Sequence, residues 1–279
     1  MRSVAEHRAY LESLAARVDN PAAGFFGPGS VAWRLNREVV LGLVVLRALF
    51  MQVAHPRVAQ GVAEHSDFRQ KPFVRAYATF KAQQRIVFGS CEESIDALLR
   101  IYARHVNVQG PGYQANDPYL LFWVYATLID SMFFAYRTFL PDLDSAEWDR
   151  FYEEGKLFAR LIGITEDQVP RSLVDFNAWM QATVASDEIT VSSVAQEIGR
   201  SLLNMPVRLA APFNAFLVAG TLPPKLRDQF KLPWTPRRQR VFDFLARASR
   251  FTFAHTPQLL HTSPTYWVAL RRVNASQTS

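Results

Sequence analysis

One cysteine, Cys91, is all that a chain of 279 residues contains. That excludes an internal disulfide framework, an iron–sulfur cluster and a thiolate zinc site, and it fits a reducing compartment. Gly-rich phosphate loops are missing too: there is no GxGxxG behind a strand and no GxxxxGK[ST], and the GxSxG of a hydrolase elbow is also absent. Without HExxH there is no zinc-protease helix, and without two Glu-x-x-His pairs there is no di-iron bundle. No apolar core follows Met1 to His7, so no signal peptide is expected. The longest apolar run, Val39 to Leu46, stops at Arg47. That is short of the roughly 20 residues a membrane span needs. The expectation is a soluble, cytoplasmic chain with no transmembrane segment. No stretch sustains a period-two pattern between hairpin turns, so strands are not expected.

What is present is apolar and aromatic. Hydrophobic residues make up 49% of the chain and aromatics 13%, with 21 Phe, enough for a sizeable core or an apolar pocket. The net charge is +6, but the basic residues are dispersed. The densest group, Arg237-Arg238-Gln239-Arg240, stands at a helix start and reads as a solvated face. No nucleic-acid partner is expected.

Helical grammar runs the length of the chain. Residues 3–18 read as a surface helix, followed by a Gly/Pro-rich loop to Ser30. A mostly buried helix is expected from Ala32 to Ala54, stopped by Pro56. Pro72 opens a helix to Phe88, with Gly89 as its C-cap. Ser90 and Glu93 form a capping box for a helix that reaches His105. Asp117-Pro118 starts the apolar helix Tyr119 to Leu140. Further helices are expected from Ser145 to Gly163, after Ser172, over 190–204 and 207–219, from Thr235-Pro236 to Phe253, and from Ser263-Pro264. Short loops and uniform composition predict an all-α, single-domain bundle of about ten helices around a pocket. Residues 1–24 form an N-terminal helix and linker, 25–273 the domain, and 274–279 a frayed tail.

The stretch from Gly27 to Gly110 carries three of the six histidines and several polar residues on apolar helical faces. Buried polar groups must be paired or used, since leaving one unpaired costs about 2–7 kcal/mol. His105 follows Ile95, Leu98, Ile101 and Tyr102 at helical spacing. An imidazole projecting from a buried helix is the minimum needed to hold haem iron; the alternative is a core histidine bonded to a carbonyl. His55, at the end of an apolar helix and before a proline, is a second candidate of the same kind; the alternative is a helix C-terminal histidine favoured by the helix dipole. Arg75 and Thr79, four apart, share a helix face. They can anchor a propionate or orient dioxygen, or be incidental surface residues. Asp130 is read as an internal ion-pair partner of Arg47 or Arg75, and His65 as a plain N-cap.

These residues resemble a known family. The string Gly27-Pro28-Gly29-Ser30, Arg47-Ala48-Leu49, Gln52-Val53-Ala54-His55-Pro56, Gly61 to Phe68, Arg75 and Thr79 is similar to the MpaB family, which includes the latex clearing proteins, or rubber oxygenases. Asp117-Pro118 with Trp123-Val124, Trp148 to Gly163, and Leu232 to Pro236 extend the likeness over residues 25 to 273. The resemblance implies an all-helical oxidoreductase with one haem b. It would use dioxygen to cleave C=C bonds of a hydrophobic, isoprenoid-like substrate. It implies His105 as the iron ligand, Arg75 and Thr79 on the distal side, and His55 and Arg47 as further pocket residues. Two departures stand out: Ala78 where the latex clearing proteins carry Lys, and Tyr125 where a His is common. The first leaves the distal side open and sets rubber cleavage itself apart from the general chemistry. A different class of reading is a non-catalytic haem or lipid binder.

Overall fold

The computed structural model describes residues 3–68 and 71–277, apart from the side chains of Pro72 and Arg75. Helix dominates it. Among the described residues there are fourteen α-helices, several short 3-10 turns and one small hairpin, so the all-α expectation holds. The helices of concern here are α1 (Val4–Ala15), α2 (Val31–Asn36), α3 (Val45–Ala54), α4 (Pro56–His65), α5 (Pro72–Phe88), α6 (Cys91–Val106), α7 (Pro118–Phe139) and α8 (Ser145–Leu161). After them come α9 (Leu173–Ala185), α10 (Ser193–Leu203), α11 (Ala211–Thr221), α12 (Pro224–Gln229), α13 (Pro236–His255) and α14 (Pro264–Gln277).

Local signals place most of the boundaries. Ser90 accepts from the Glu93 amide and the Glu93 carboxylate accepts from the Ser90 amide, at 3.2 and 2.9 Å, which starts α6 where the capping box predicts. The Asp117 carboxylate accepts from Leu120 N at 3.0 Å, and Pro118 fills the first turn of α7. At α8 the cap is Asp144 rather than Ser145, again with a reciprocal Glu147. Gly89 ends α5 in an extended conformation; a Cβ there would stand 2.3 Å from the Arg85 carbonyl oxygen, which only glycine avoids.

α7 is the hub. Its apolar residues are buried nearly all round, among them Phe122, Trp123, Tyr125, Phe133 and Phe139. It packs on α3, α8 and α13. By length and composition this helix could cross a membrane, contrary to the expectation from the shorter run at Val39, although 72% of its apolar window is covered inside the fold. α5 and α6 pair beside it, and α1 lies along α6 through Leu11.

Three features depart from the sequence expectation. The helix over 32–54 is broken into α2, a 3-10 segment (Val39–Val44) and α3. Pairing with the C-terminal region is the cause: Val39 N donates to His261 O at 3.0 Å, Ser263 N to Arg37 O at 2.7 Å, and His261 Nδ1 lies 2.6 Å from the Glu38 carboxylate. A two-stranded hairpin, Gln109–Gly110 with Tyr113–Gln114, turns at Pro111-Gly112. Finally, α14 runs on to Gln277 instead of fraying after Val273. Arg272 fastens it, donating to Ala22 O, to Glu93 at 2.9 Å and to Phe88 O.

One buried ion pair ties α3, α7 and α11 together. Arg47 donates to Asp130 (2.7 Å), Ser131 Oγ (2.8 Å) and Thr221 O (2.9 Å). Removing one partner strands the other charge. Arg47→Ala is therefore expected to lower unfolding free energy by about 3–5 kcal/mol. The double change Arg47→Met with Asp130→Leu should recover most of that loss in urea titrations.

Candidate active site

Between α5, α6 and α7 lies a cavity of about 1170 Å³, somewhat above the roughly 300–1,000 Å³ of small-molecule sites. α5 contributes Thr79, Gln83 and Gln84; α6 contributes Leu98, Tyr102 and His105; α7 contributes Leu121, Val124, Tyr125 and Leu128. Phe158 of α8 joins them. A second, much narrower chamber lies behind. It shares Gln83, Tyr125, Leu128 and Phe158 with the larger hollow and is otherwise walled mainly by apolar residues such as Phe26, Ile129, Met132 and Phe151.

His105 stands in the last turn of α6 and faces this hollow. The helix C-terminus favours an imidazolium there, yet burial outweighs it and pushes the ring's pKa down. Asn116, from the segment that leads into α7, sits against the ring and opposes that shift. Asn116 is itself buried, and neither atom of its amide completes a hydrogen bond of proper geometry. A neutral imidazole beside a buried amide is thus presented to an apolar hollow.

Thr79 also lines the cavity, on the exposed side of α5. Arg75 precedes it by one turn of α5, and its side chain lies outside the described residues. The other two sequence candidates are engaged elsewhere. His55 is buried and caps α4, accepting from Arg57 N through Nδ1 at 3.2 Å. Its Nε2 stands 3.5 Å from Glu188. Arg47 is committed to the ion pair with Asp130. Neither His55 nor Arg47 lies along the cavity wall. The structure therefore brings together His105 and Thr79, and separates both from His55 and Arg47.

Two histidines not expected at the site also meet the hollow. His7 of α1 stacks on Tyr102, ring centroids 4.2 Å apart, and reaches the cavity. His65 ends α4 instead of capping a helix start. Its Nε2 lies 3.0 Å from Tyr113 Oη and 3.2 Å from Gln109 O, fixing the hairpin at the cavity's edge. Both contacts span residues far apart in the chain, so no local motif announces them.

A family model described as ER-bound oxygenase mpaB/B'/rubber oxygenase, catalytic domain, matches residues 32–251. The chain belongs to this family. The MpaB/rubber oxygenase match takes in α2 through most of α13, including His105, Asn116 and Thr79, so the whole α5–α6–α7 cradle is family territory. α1 and α14, which add His7 and Arg272 to the cavity wall, lie outside it. The chain is also similar to uncharacterized proteins of Mycobacterium bovis and Mycobacterium tuberculosis. Each is 27% identical over 219 residues, covering 72% of this chain and 84% of the relative. No solved structure matches significantly.

The state of His55 is open to a solution test. Burial is the largest influence and holds its pKa below the ordinary 6.5; Arg57 adds to this, and Glu188 opposes it. Because the folded pKa is the lower one, the neutral ring's contribution is complete above pH 6.5 and is lost as pH falls through the folded pKa. His55→Asn keeps an oxygen to cap α4 and removes the titration. The drop in urea midpoint between pH 7.5 and pH 5.5 should be smaller in His55→Asn than in the parent protein.

Proposed function

We propose that this chain is a haem b-dependent oxygenase that uses dioxygen on a hydrophobic, isoprenoid-like substrate, with oxidative C=C cleavage as its reaction. One observation carries the reading: a half-buried, neutral-leaning imidazole, His105, on the wall of a largely apolar cavity with volume enough for a macrocycle. The donor set fits haem better than a bare ion. Among the described residues no three His, Cys, Asp or Glu side chains converge as a metal site requires. A porphyrin brings four ligands of its own and asks the protein for one.

The bound haem supplies dioxygen activation; the chain supplies placement and environment. His105 would hold the iron through an unprotonated ring nitrogen, and its desolvation favours that state at neutral pH. With haem bound, Asn116, whose amide already lies against the ring, would accept from the other ring nitrogen and fix its orientation, the role such outer partners play for metal-bound histidines. Thr79, on the opposing α5, offers a hydroxyl to oxygen or to an ordered water, with Arg75 one turn before it. Leu121, Val124 and Leu128 give the α7 side of the hollow an apolar surface, which suits a hydrocarbon substrate.

The test is optical. Protein titrated with hemin should develop a Soret band that His105→Ala loses, and added imidazole should restore it. Asn116→Ala should still take up hemin, with retention weakened about 10- to 100-fold. Thr79→Val should keep the spectrum and slow product formation from an isoprenoid probe. A normal ferric spectrum in His105→Ala would remove the assignment.

A further inference from the structure

α13 shows two apolar faces where a surface helix has one. Its inner face is spent on the core: Phe242 meets Phe139, Phe216 and Trp234, and Ser249 Oγ donates to Phe139 O at 3.0 Å. Half a turn round the helix lie Phe244 and Phe251, two turns apart and therefore in line. They are 62% and 65% exposed. Val241 and Leu245 widen the stripe. The chain then turns through Leu259 and Leu260, the latter 74% exposed. Single exposed apolar residues are ordinary, but this run along one helix and the turn after it makes a face that the fold leaves in water.

Charge indicates what covers it. α13 holds five arginines and one carboxylate, Asp243. Arg238 and Arg250 are committed to the carbonyls of Pro233 and Arg137, and Asp243 accepts from Gln239 at 2.8 Å. Arg237, Arg240 and Arg247 are exposed beside the stripe. Arg240 and Arg247 each precede one of the two phenylalanines by a single turn, and Arg237 stands two turns ahead of Phe244 on the same line. Arginine stems lie along apolar surface while their heads reach outward. Two copies of the chain meeting through this stripe would set arginines against arginines, with only Asp243 to answer them. An anionic bilayer answers both features at once: acyl chains take the phenylalanines and leucines, and lipid phosphates accept from the guanidiniums.

We infer that the outward face of α13, with the Leu259–Leu260 turn, docks on anionic lipid bilayers. The helix lies in the interface plane with its stripe sunk among the headgroups, and no segment crosses the membrane. α7, long and apolar enough to span, stays largely covered within the fold. Beyond the turn, α14 places Thr265 and Val268 on the cavity wall. The docked face and the hollow thus share one stretch of chain, which suits a hydrophobic substrate drawn from the bilayer. The docking itself rests on the exposed face, not on haem.

Sedimentation of the full chain with vesicles tests it. Vesicles of phosphatidylcholine mixed with phosphatidylglycerol should bring the protein down, and pure phosphatidylcholine should bind it far less. Arg237→Gln, Arg240→Gln and Arg247→Gln should each weaken binding about fivefold, and added salt should weaken it in the parent protein. Phe244→Ser combined with Phe251→Ser should weaken it about tenfold or more. All these side chains are exposed, so the variants should keep the parent's melting temperature. No binding, equal binding to neutral and anionic vesicles, or binding that survives the double phenylalanine change overturns the inference. So does a lipid-free dimer that the double change converts to a monomer, since the face would then belong to a second copy. Hemin uptake by a chain that ignores vesicles sinks the docking face alone; vesicle binding by a chain that refuses hemin sinks the haem reading alone.

Discussion

A wide apolar hollow inside a small protein is unstable against its own walls. Interiors pack to crystal-like density and keep few large voids, so helices flanking such a space tend to close on it. Here they are held apart by polar clamps at the margins. Arg272 binds α14 to the end of α5 and the cap of α6. His65, Tyr113 and Glu64 lock the hairpin to the end of α4. Away from the cavity wall, Arg47 and Asp130 fix α7 itself to α3 and, through the Thr221 carbonyl, to α11. Each clamp uses directional bonds, which fix a distance, where apolar contacts would only favour approach.

The clamps also sort the histidines. His55 and His105 both sit at helix junctions, and burial depresses the pKa of each. What separates them is what the ring meets. The Nδ1 of His55 is spent on the backbone of α4, and its other nitrogen faces Glu188. His105 lies near the amide of Asn116 and the Arg104 guanidinium and borders the cavity. The first ring is engaged in capping α4, and the second lines the hollow. Spacing in the sequence does not separate these cases, because each histidine follows an apolar helical face.

Legibility in the sequence follows the range of the interaction. The starts of α6 and α7 are readable because their caps lie within three residues of the helix. The break at Glu38 is not, since its cause is a bridge to Thr262 far along the chain. Continuous apolar periodicity over 32–54 predicts one helix, and tertiary pairing overrides it. The hairpin escaped notice because each strand is two residues long, too short for any alternation to show. α14 outlasts its expected end because Arg272 is anchored on α5 and α6, which nothing local to 264–277 reveals. Of the candidate site, His105 and its neighbour on α5 were visible as polar residues on apolar helices. The roles of Asn116 and His7 depend on segments that only the fold brings together.

α7 shows why one helix can serve both stability and chemistry. Its sequence reads as uniformly apolar, and most of that character builds the core around Phe133, Tyr136 and Phe139. A surface-facing helix would have offered one apolar stripe, leaving nothing for a pocket. Because α7 is apolar all round, the side left over after packing on α3, α8 and α13 is apolar too, and that side is the cavity wall. The few polar atoms it carries are then conspicuous. Asp130 and Ser131 answer Arg47, and Thr127 answers its own helix through Val124 O at 2.7 Å. Tyr125 answers none of these, and its oxygen lies over Gly155 on the wall of the narrow chamber.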